Sequence, residues 1–467
     1  GISGLTAIVG TFFIKDYLNL SAAFLASLGF WAGLPWALKM PLGHLVDLIW
    51  KHKSYMVLVG AAVIASSLLI MHGLIGHTAL MATIMPVESW FVVSVILGPV
   101  GYVVQDVVAD AMTVEAVPER NSDGTLIPPE QVKDMHTTMQ TFGRFAIIGG
   151  TVLVSLINVI LFQDVDSLDE TSRVELYADI YLYALVIPLV SVAGVALAAV
   201  QATRRSGIES TLAVGTSDRP EINWSILLGS LVFVAFSLSI GTSDSAYAQE
   251  LVFAGSVAII LFLMNRLIRL LEPNQQLTII GTAVIVFMFR ATPSPGPGLT
   301  WFEIDILLFN EQFLSVLSLI ASLLTLAGII ILRPFMANNS IARIIVVLSI
   351  AGAILFLPSI GMYYGIHNWT AAHTGGVVDA KFIAIINTAI ESPLGQVSMI
   401  PLLAWIARNA PAHMKATFFA VFASFTNLAL SASALGTKYL NQAFVVTREV
   451  KNKLNGEIVS VADYSEL

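Results

Sequence analysis

Six ionisable side chains stand inside long apolar runs and are the residues most able to do chemistry: Lys39, Asp106, Asp110, Arg144, Arg290 and Glu391. Asp106 and Asp110 lie in GPVGYVVQDVVADAMTVE at i,i+4 spacing, which puts both carboxylates on one helical face with Gln105 beside it. Two carboxylates so placed repel unless one holds a proton or a cation lies near. The pattern suits proton exchange or a charge-paired gate, and equally a structural ion pair at a helix end beside Glu115. Arg290 lies in FMFRATPSPGPGLTW, followed by Pro293, Pro295, Pro297, Gly296 and Gly298. A helix must break there. A guanidinium at such a break suits bidentate capture of a carboxylate or phosphate. The rival reading is a kink whose Arg290 pairs with Glu391 or Asp110.

Lys39 sits in LPWALKM between Pro35 and Pro41. It either faces a cavity and binds an anion or snorkels toward the surface marked by Asp47. Arg144, in TFGRFAIIGG, has the same two readings. Glu391, in NTAIESPLGQVSMIPLLAW, has Asn387, Gln396 and Ser398 nearby; it can take a proton or pair with Arg290 or Lys39. Ser424 to Asn427 give the next helix a similar polar patch, and helix–helix hydrogen bonding is the alternative for both. The His residues show no metal-ligand spacing, there is no phosphate-binding GxxxxGK[ST] loop, and no nucleophile elbow. With no Cys, disulfides, thiolate-bound metal and thiol catalysis are excluded. No cofactor and no metal are expected.

These residues need elements to hold them, and composition says which. Of 467 residues, 56% are hydrophobic and 12% charged, against about 25% charged in soluble domains. The 23 Lys+Arg and 31 Asp+Glu, 54 charges in all, are too few to cover a soluble protein of this size. Mean hydropathy is +0.82. A soluble enzyme, a nucleic-acid binder and a disordered chain are excluded, and an all-α polytopic membrane protein is expected. Apolar stretches near membrane length fall at 1–14 (incomplete), 22–46, 54–76, 89–114, 136–161, 178–201, 223–242, 249–271, 277–300, 312–332, 341–364, 381–407 and 414–437. They make thirteen spans, too long and too uniformly apolar for a barrel.

Loop charges orient them. With the N-terminus cytoplasmic, inside loops hold thirteen Lys and Arg residues, including Lys51, Lys53, Arg204, Arg205 and Arg408; outside loops and the final segment hold seven. This fits the positive-inside rule. The expected organisation is a six-helix bundle at 1–201, a cytoplasmic linker at 202–222, an inserted helix pair at 223–271, a second bundle at 272–440 with five helices present, and an extracytoplasmic loop at 441–467. Regularity then calls for a fourteenth span beyond Leu467 and a chain cut at both ends.

The loop GHLVDLIWKHK, with Gly43, Asp47, Lys51 and Lys53, resembles the helix 2–3 gating-loop signature of the major facilitator superfamily, although the usual Gly-Arg pair is not intact and the second-half counterpart ILRPFMANNSIAR lacks the Asp. GISGLTAIVGTFFIKDYLNLS, LPWALKMPLGHLVD, QDVVADAMTVE, FRATPSPGPGLTWF and GQVSMIPLLAWIARNAPAHMKATFFAVFASFTNLA together resemble the folate–biopterin transporter family within it. The likeness covers nearly all of 1–201 and 277–440 but not 223–271. It implies a major-facilitator-like fold of two six-helix bundles with the inserted pair.

It also implies secondary, proton-coupled transport of folate- or pterin-like organic anions by alternating access. Lys39 and Arg290, with Arg144 as a looser match, would bind substrate carboxylates, and an aromatic such as Trp36 or Phe287 would stack on the heterocycle. Asp106, Asp110 or Glu391 would exchange the proton. The expected setting is the bacterial cytoplasmic membrane, with no nucleic-acid partner. The alternative is a transporter-fold accessory subunit with a structural or assembly role in a larger membrane complex, docked to a membrane-protein partner through 223–271.

Overall fold

The computed structural model describes residues 2–37, 42, 46, 53–115, 121, 125–206, 228, 232, 235–237, 239–241, 243, 245–269, 271–395, 397, 399–401, 415–452, 455 and 457–467. Its helices in the first part of the chain are α1 (Ile2–Tyr17), α2 (Ala22–Ala37), α3 (Lys53–Gly76), α4 (Thr78–Ala82), α5 (Val87–Glu115), α6 (Pro129–Leu161), α7 (Glu170–Tyr183) and α8 (Val186–Ser206). Then follow α9 (Ala248–Ile268), α10 (Pro273–Arg290), α11 (Pro297–Asp305), α12 (Glu311–Ile331), α13 (Arg333–Asn338), α14 (Ile341–Tyr363), α15 (Ile366–His373), α16 (Ala380–Glu391) and α17 (Lys415–Ala443). A small antiparallel hairpin, β1 (Val450–Lys451) and β2 (Ile458–Ser460), comes after α17.

Among the described residues seven helices are long and apolar enough to cross a membrane: Ser54–Gly76, Val87–Ala109, Phe145–Ser167, Glu170–Ala198, Ala248–Arg266, Glu311–Ile331 and Ile341–Tyr363. Ala22–Trp36 and Gln276–Arg290 are shorter apolar helices. Most of the 223–242 span lies outside the described residues, as does the stretch 402–414. The acidic stretch 162–177, expected as a loop, is helical from Glu170 onward. An acidic residue in the first helical turn favours this, because it complements the positive end of the helix dipole. The polar stretch after 437 likewise begins as helix, since α17 runs on to Ala443.

The Cα positions divide into two compact units. One comprises Leu28–Phe142 and Val174–Ser256. Its organising contact is α3 against α5. Gly60 and Gly101 face each other so closely that a Cβ on either would come 2.9–3.0 Å from the other's carbonyl oxygen. Small residues let membrane helices approach, and polar side chains then bond across them. Ser67 Oγ donates to the Ser94 carbonyl at 2.8 Å, Ser94 Oγ to the Ser67 carbonyl at 2.9 Å, and Gln105 Nε2 to the Val57 carbonyl at 3.1 Å.

The other unit comprises Gly1–Ser27, Gly143–Arg173 and Val257–Leu467. Asn158 on α6 donates to the carbonyls of Gly4 and Leu5 on α1 at 3.1 and 3.2 Å. Ser155 and Ser318 join α6 to α12 through a 2.8 Å hydroxyl contact. One of its hydrophobic clusters holds Trp301, Phe302, Phe309, Ala22, Met362, Val446 and Tyr464.

Candidate functional site

The expected break after Arg290 is present. α10 ends at Arg290, residues 291–296 are not helical, and α11 restarts at Pro297. Gly296 has φ 75° and ψ −153°, a conformation essentially confined to glycine. Pro297 then opens α11, where its missing N–H costs nothing. Broken backbone at membrane depth must find its hydrogen bonds within the protein. One face of α17 supplies them. Ser433 Oγ donates to the Thr292 carbonyl at 2.7 Å, Thr437 Oγ1 accepts from the Ser294 N–H at 3.1 Å, and Asn441 Nδ2 donates to the Pro295 carbonyl at 3.0 Å. These three are spaced i, i+4, i+8, so they share a side of the helix. Phe287 and Phe425 stack between the same helices with centroids 4.9 Å apart.

Arg290 therefore stands at the last turn before a rigidly supported break. Its Nη1 donates to the Met399 thioether at 3.2 Å, and its Nε is buried without a hydrogen-bond partner among the described residues. Arg290 and Glu391 belong to one unit but form no ion pair among the described residues. Glu391 is exposed at the end of α16. The amide oxygen of Asn387, one turn earlier, is buried and unpaired among the described residues. A guanidinium offers five donors in a planar fork. One bond to a weak sulfur acceptor leaves it able to take a bidentate oxyanion.

In the other unit, Asp106 lies half-buried on α5, and Trp36, at the end of α2, packs against the cluster of Val46, Val103, Val107 and Val108. Asp110 lies within α5 and Lys53 opens α3, while Arg144, on α6, belongs to the unit that holds Arg290; the side chains of all three lie outside the description. Lys39, Gly43, Asp47 and Lys51 lie outside the described residues. So do Gln396 and Ser398.

A second charged constellation was not foreseen. Lys15, at the end of α1, bridges Asp16 at 2.9 Å and Asp305, at the end of α11, at 2.7 Å. Tyr464 donates its hydroxyl to Asp305. Arg448 is 3% exposed, lies 3.9 Å from the Trp301 ring centroid, and donates to the carbonyls of Ile14 and Leu18. Burial lowers its pKa to about 10 against the opposing influence of Tyr464, Asp16 and Asp305. Glu303 lies on α11, beyond the 277–300 span. Burial pushes its carboxyl from 4.5 up to about 7. The available signal was TWFEIDILLF, two carboxylates within an apolar run, which a span ending at 300 leaves unread.

Apolar membrane-length helices, a supported break and a cation beside it define a helical membrane protein with a candidate anion site. Solved structures place the fold. Similar ones include a POT family transporter in complex with 5-aminolevulinic acid (TM-score 0.58, 12% identity, 95% of this chain and 88% of that one). Others are a bacterial homologue of the human drug peptide transporters PepT1 and PepT2 (0.54, 14%, 94% and 84%) and the nucleoside transporter NupG (0.51, 12%, 95% and 89%). The fold is major-facilitator-like, as the sequence motifs implied. The chain belongs to the BT1 family, whose model matches residues 1–459. A folate-biopterin transporter of Synechocystis sp. is 26% identical over 155 residues, a stretch covering 33% of this chain and 30% of that protein. The family resemblance drawn from the motifs is thus borne out.

Proposed function

We propose that this transporter carries folate- or pterin-like organic anions by alternating access, driven by protons. The observation that carries the reading is Arg290: a half-buried guanidinium whose buried Nε has no hydrogen-bond partner among the described residues, held at a helix break whose backbone α17 fixes. Preorganised donors at a discontinuous helix are a recurring transporter binding arrangement. The name of the Synechocystis relative supports the substrate class. In this reading Arg290, Lys39 and Arg144 bind substrate carboxylates, and Trp36 stacks on the heterocycle. Asp106, Asp110 and Glu391 exchange protons or pair charges, and Glu303 joins them because its carboxyl titrates near neutrality. Gly43, Asp47, Lys51 and Lys53 form the gating loop. The protein sits in the bacterial cytoplasmic membrane with its N-terminus inside.

Purified protein in proteoliposomes tests this with folate, reduced folates and pterins, with and without an inward proton gradient. Gradient-stimulated uptake of one of these anions is expected. No uptake across the panel by folded protein rejects the substrate class, and equal uptake with and without the gradient rejects proton coupling.

A further inference from the structure

The segment after α17 does more than connect. Its apolar side chains divide: Val446, Val450 and Tyr464 are buried, while Phe444, Val445, Ile458, Val459 and Val461 are exposed. A lone two-stranded hairpin is marginal in water. Beside that small buried patch, a few directed contacts tie it to other elements of its unit. Arg448 donates to the Ile14 and Leu18 carbonyls at the end of α1, the first of which also accepts from the Leu18 N–H. The same guanidinium lies on Trp301 of α11. Tyr464 binds Asp305 at the end of α11, where Lys15 of α1 also bonds. The hydroxyl of Tyr363, on α14, donates to the carbonyls of Tyr464 and Ser465 at 3.2 and 3.1 Å. Val446 rests on Gly298, where an added Cβ would lie 3.2 Å away.

We infer that residues 444–452 and 457–467 form a latch: Arg448 and Tyr464 clasp the end of α1, from the first half of the sequence, to the end of α11, from the second, and must let go before the protein opens at that end. The inference rests on the alternating-access reading above, in which helices from the two halves separate at one end at a time. The segment suits this role because it holds both helices by a few polar anchors while much of its apolar surface stays outside the core. Breaking those anchors frees the helix ends without dismantling the bundle. The Lys15–Asp305 bridge lies beneath the same clasp and opens with it.

The absence of Cys makes a clean test possible. Ala22 is 2% exposed and shares the cluster of Trp301, Val446 and Tyr464. A single Ala22→Cys reporter is labelled with a hydrophilic maleimide in detergent, alone and combined with Arg448→Ala or Tyr464→Phe. Labelling is expected to be slow in the parent and to rise about tenfold in either combination, because losing a charged or buried hydrogen bond shifts a local opening by that order. Should Arg448→Ala fail to fold, by gel filtration and helical circular dichroism, Tyr464→Phe decides, since it removes only a hydroxyl. Equal labelling rates in the parent and a folded anchor variant overturn the latch. The measurement needs no substrate, so its failure is separate from a failure of the transport panel.

Discussion

Lys15 Nζ lies 2.7 Å from an Asp305 carboxylate oxygen, joining the ends of α1 and α11, and the two side chains are only 11% and 18% exposed. Removing one partner of a nearly buried pair strands the other charge, which typically costs about 3 kcal/mol. Lys15→Met and Asp305→Asn are each expected to destabilise the detergent-solubilised protein by that order. The double variant should be less damaged than the sum of the singles, with a coupling above about 1 kcal/mol. Chemical unfolding of the four proteins measures it; additive losses would show that the pair acts as two separate residues.

Glu303 predicts a pH dependence of definite sign. Its carboxyl titrates near 7 in the folded protein and at 4.5 as an ordinary glutamate, because burial disfavours the charged form. Between those values the folded state holds the proton that the unfolded state has released, so stability falls as pH rises through this window and levels off above it. Glu303→Gln has no proton to lose. It is expected to flatten stability between about pH 4.5 and 7 and to unfold later than wild type above pH 7. Parallel slopes for the two proteins would remove Glu303 from the groups that take up a proton on folding.

The support of the helix break can be tested residue by residue. Thr437→Val removes the acceptor for Ser294 N–H, and Asn441→Leu the donor to Pro295, each expected to cost about 1 kcal/mol. Gly296→Ala should cost about 1–3 kcal/mol, since alanine is strained at φ 75° and its Cβ would lie 2.8 Å from Thr437 Cγ2. Melting temperatures with and without substrate separate loss of fold from loss of the site. If all three variants melt like wild type, α17 does not hold the break.

Sequence periodicity and charge carried the fold class a long way, because a helix that crosses lipid must be long, apolar and internally bonded. They also marked Arg290, where three prolines make the break unmistakable. What they could not carry is which distant polar groups meet. Lys15 and Arg448 read as loop cations that help fix orientation, and only the folded chain puts Arg448 against the end of α1 and Trp301. Thr437 closes the 414–437 span and Asn441 opens the 441–467 loop, and nothing in the sequence singles them out; their role depends on α17 lying beside 292–295. The possible Arg290–Glu391 pair was chemically sensible, yet Arg290 meets Met399 instead. Opposite charge in two helices says nothing of the rotation that decides whether they face each other.

Arg290 itself gives the sharpest functional prediction. Among the described residues its guanidinium has one side-chain partner, the Met399 thioether, and its Nε has none. Arg290→Ala therefore gives up little of the fold and should melt within about 1 kcal/mol of wild type, as substitutions that break no strong contact do. Uptake of the anion should nonetheless be lost. Arg290→Lys keeps the charge but not the planar fork, so a bidentate contact becomes a single one. A charge-assisted hydrogen bond is worth about 1.5–3 kcal/mol, so KM for uptake should rise about tenfold to a hundredfold in Arg290→Lys. Should Arg290→Ala transport as well as wild type, the guanidinium is a fixture of the kink and the anion is held elsewhere.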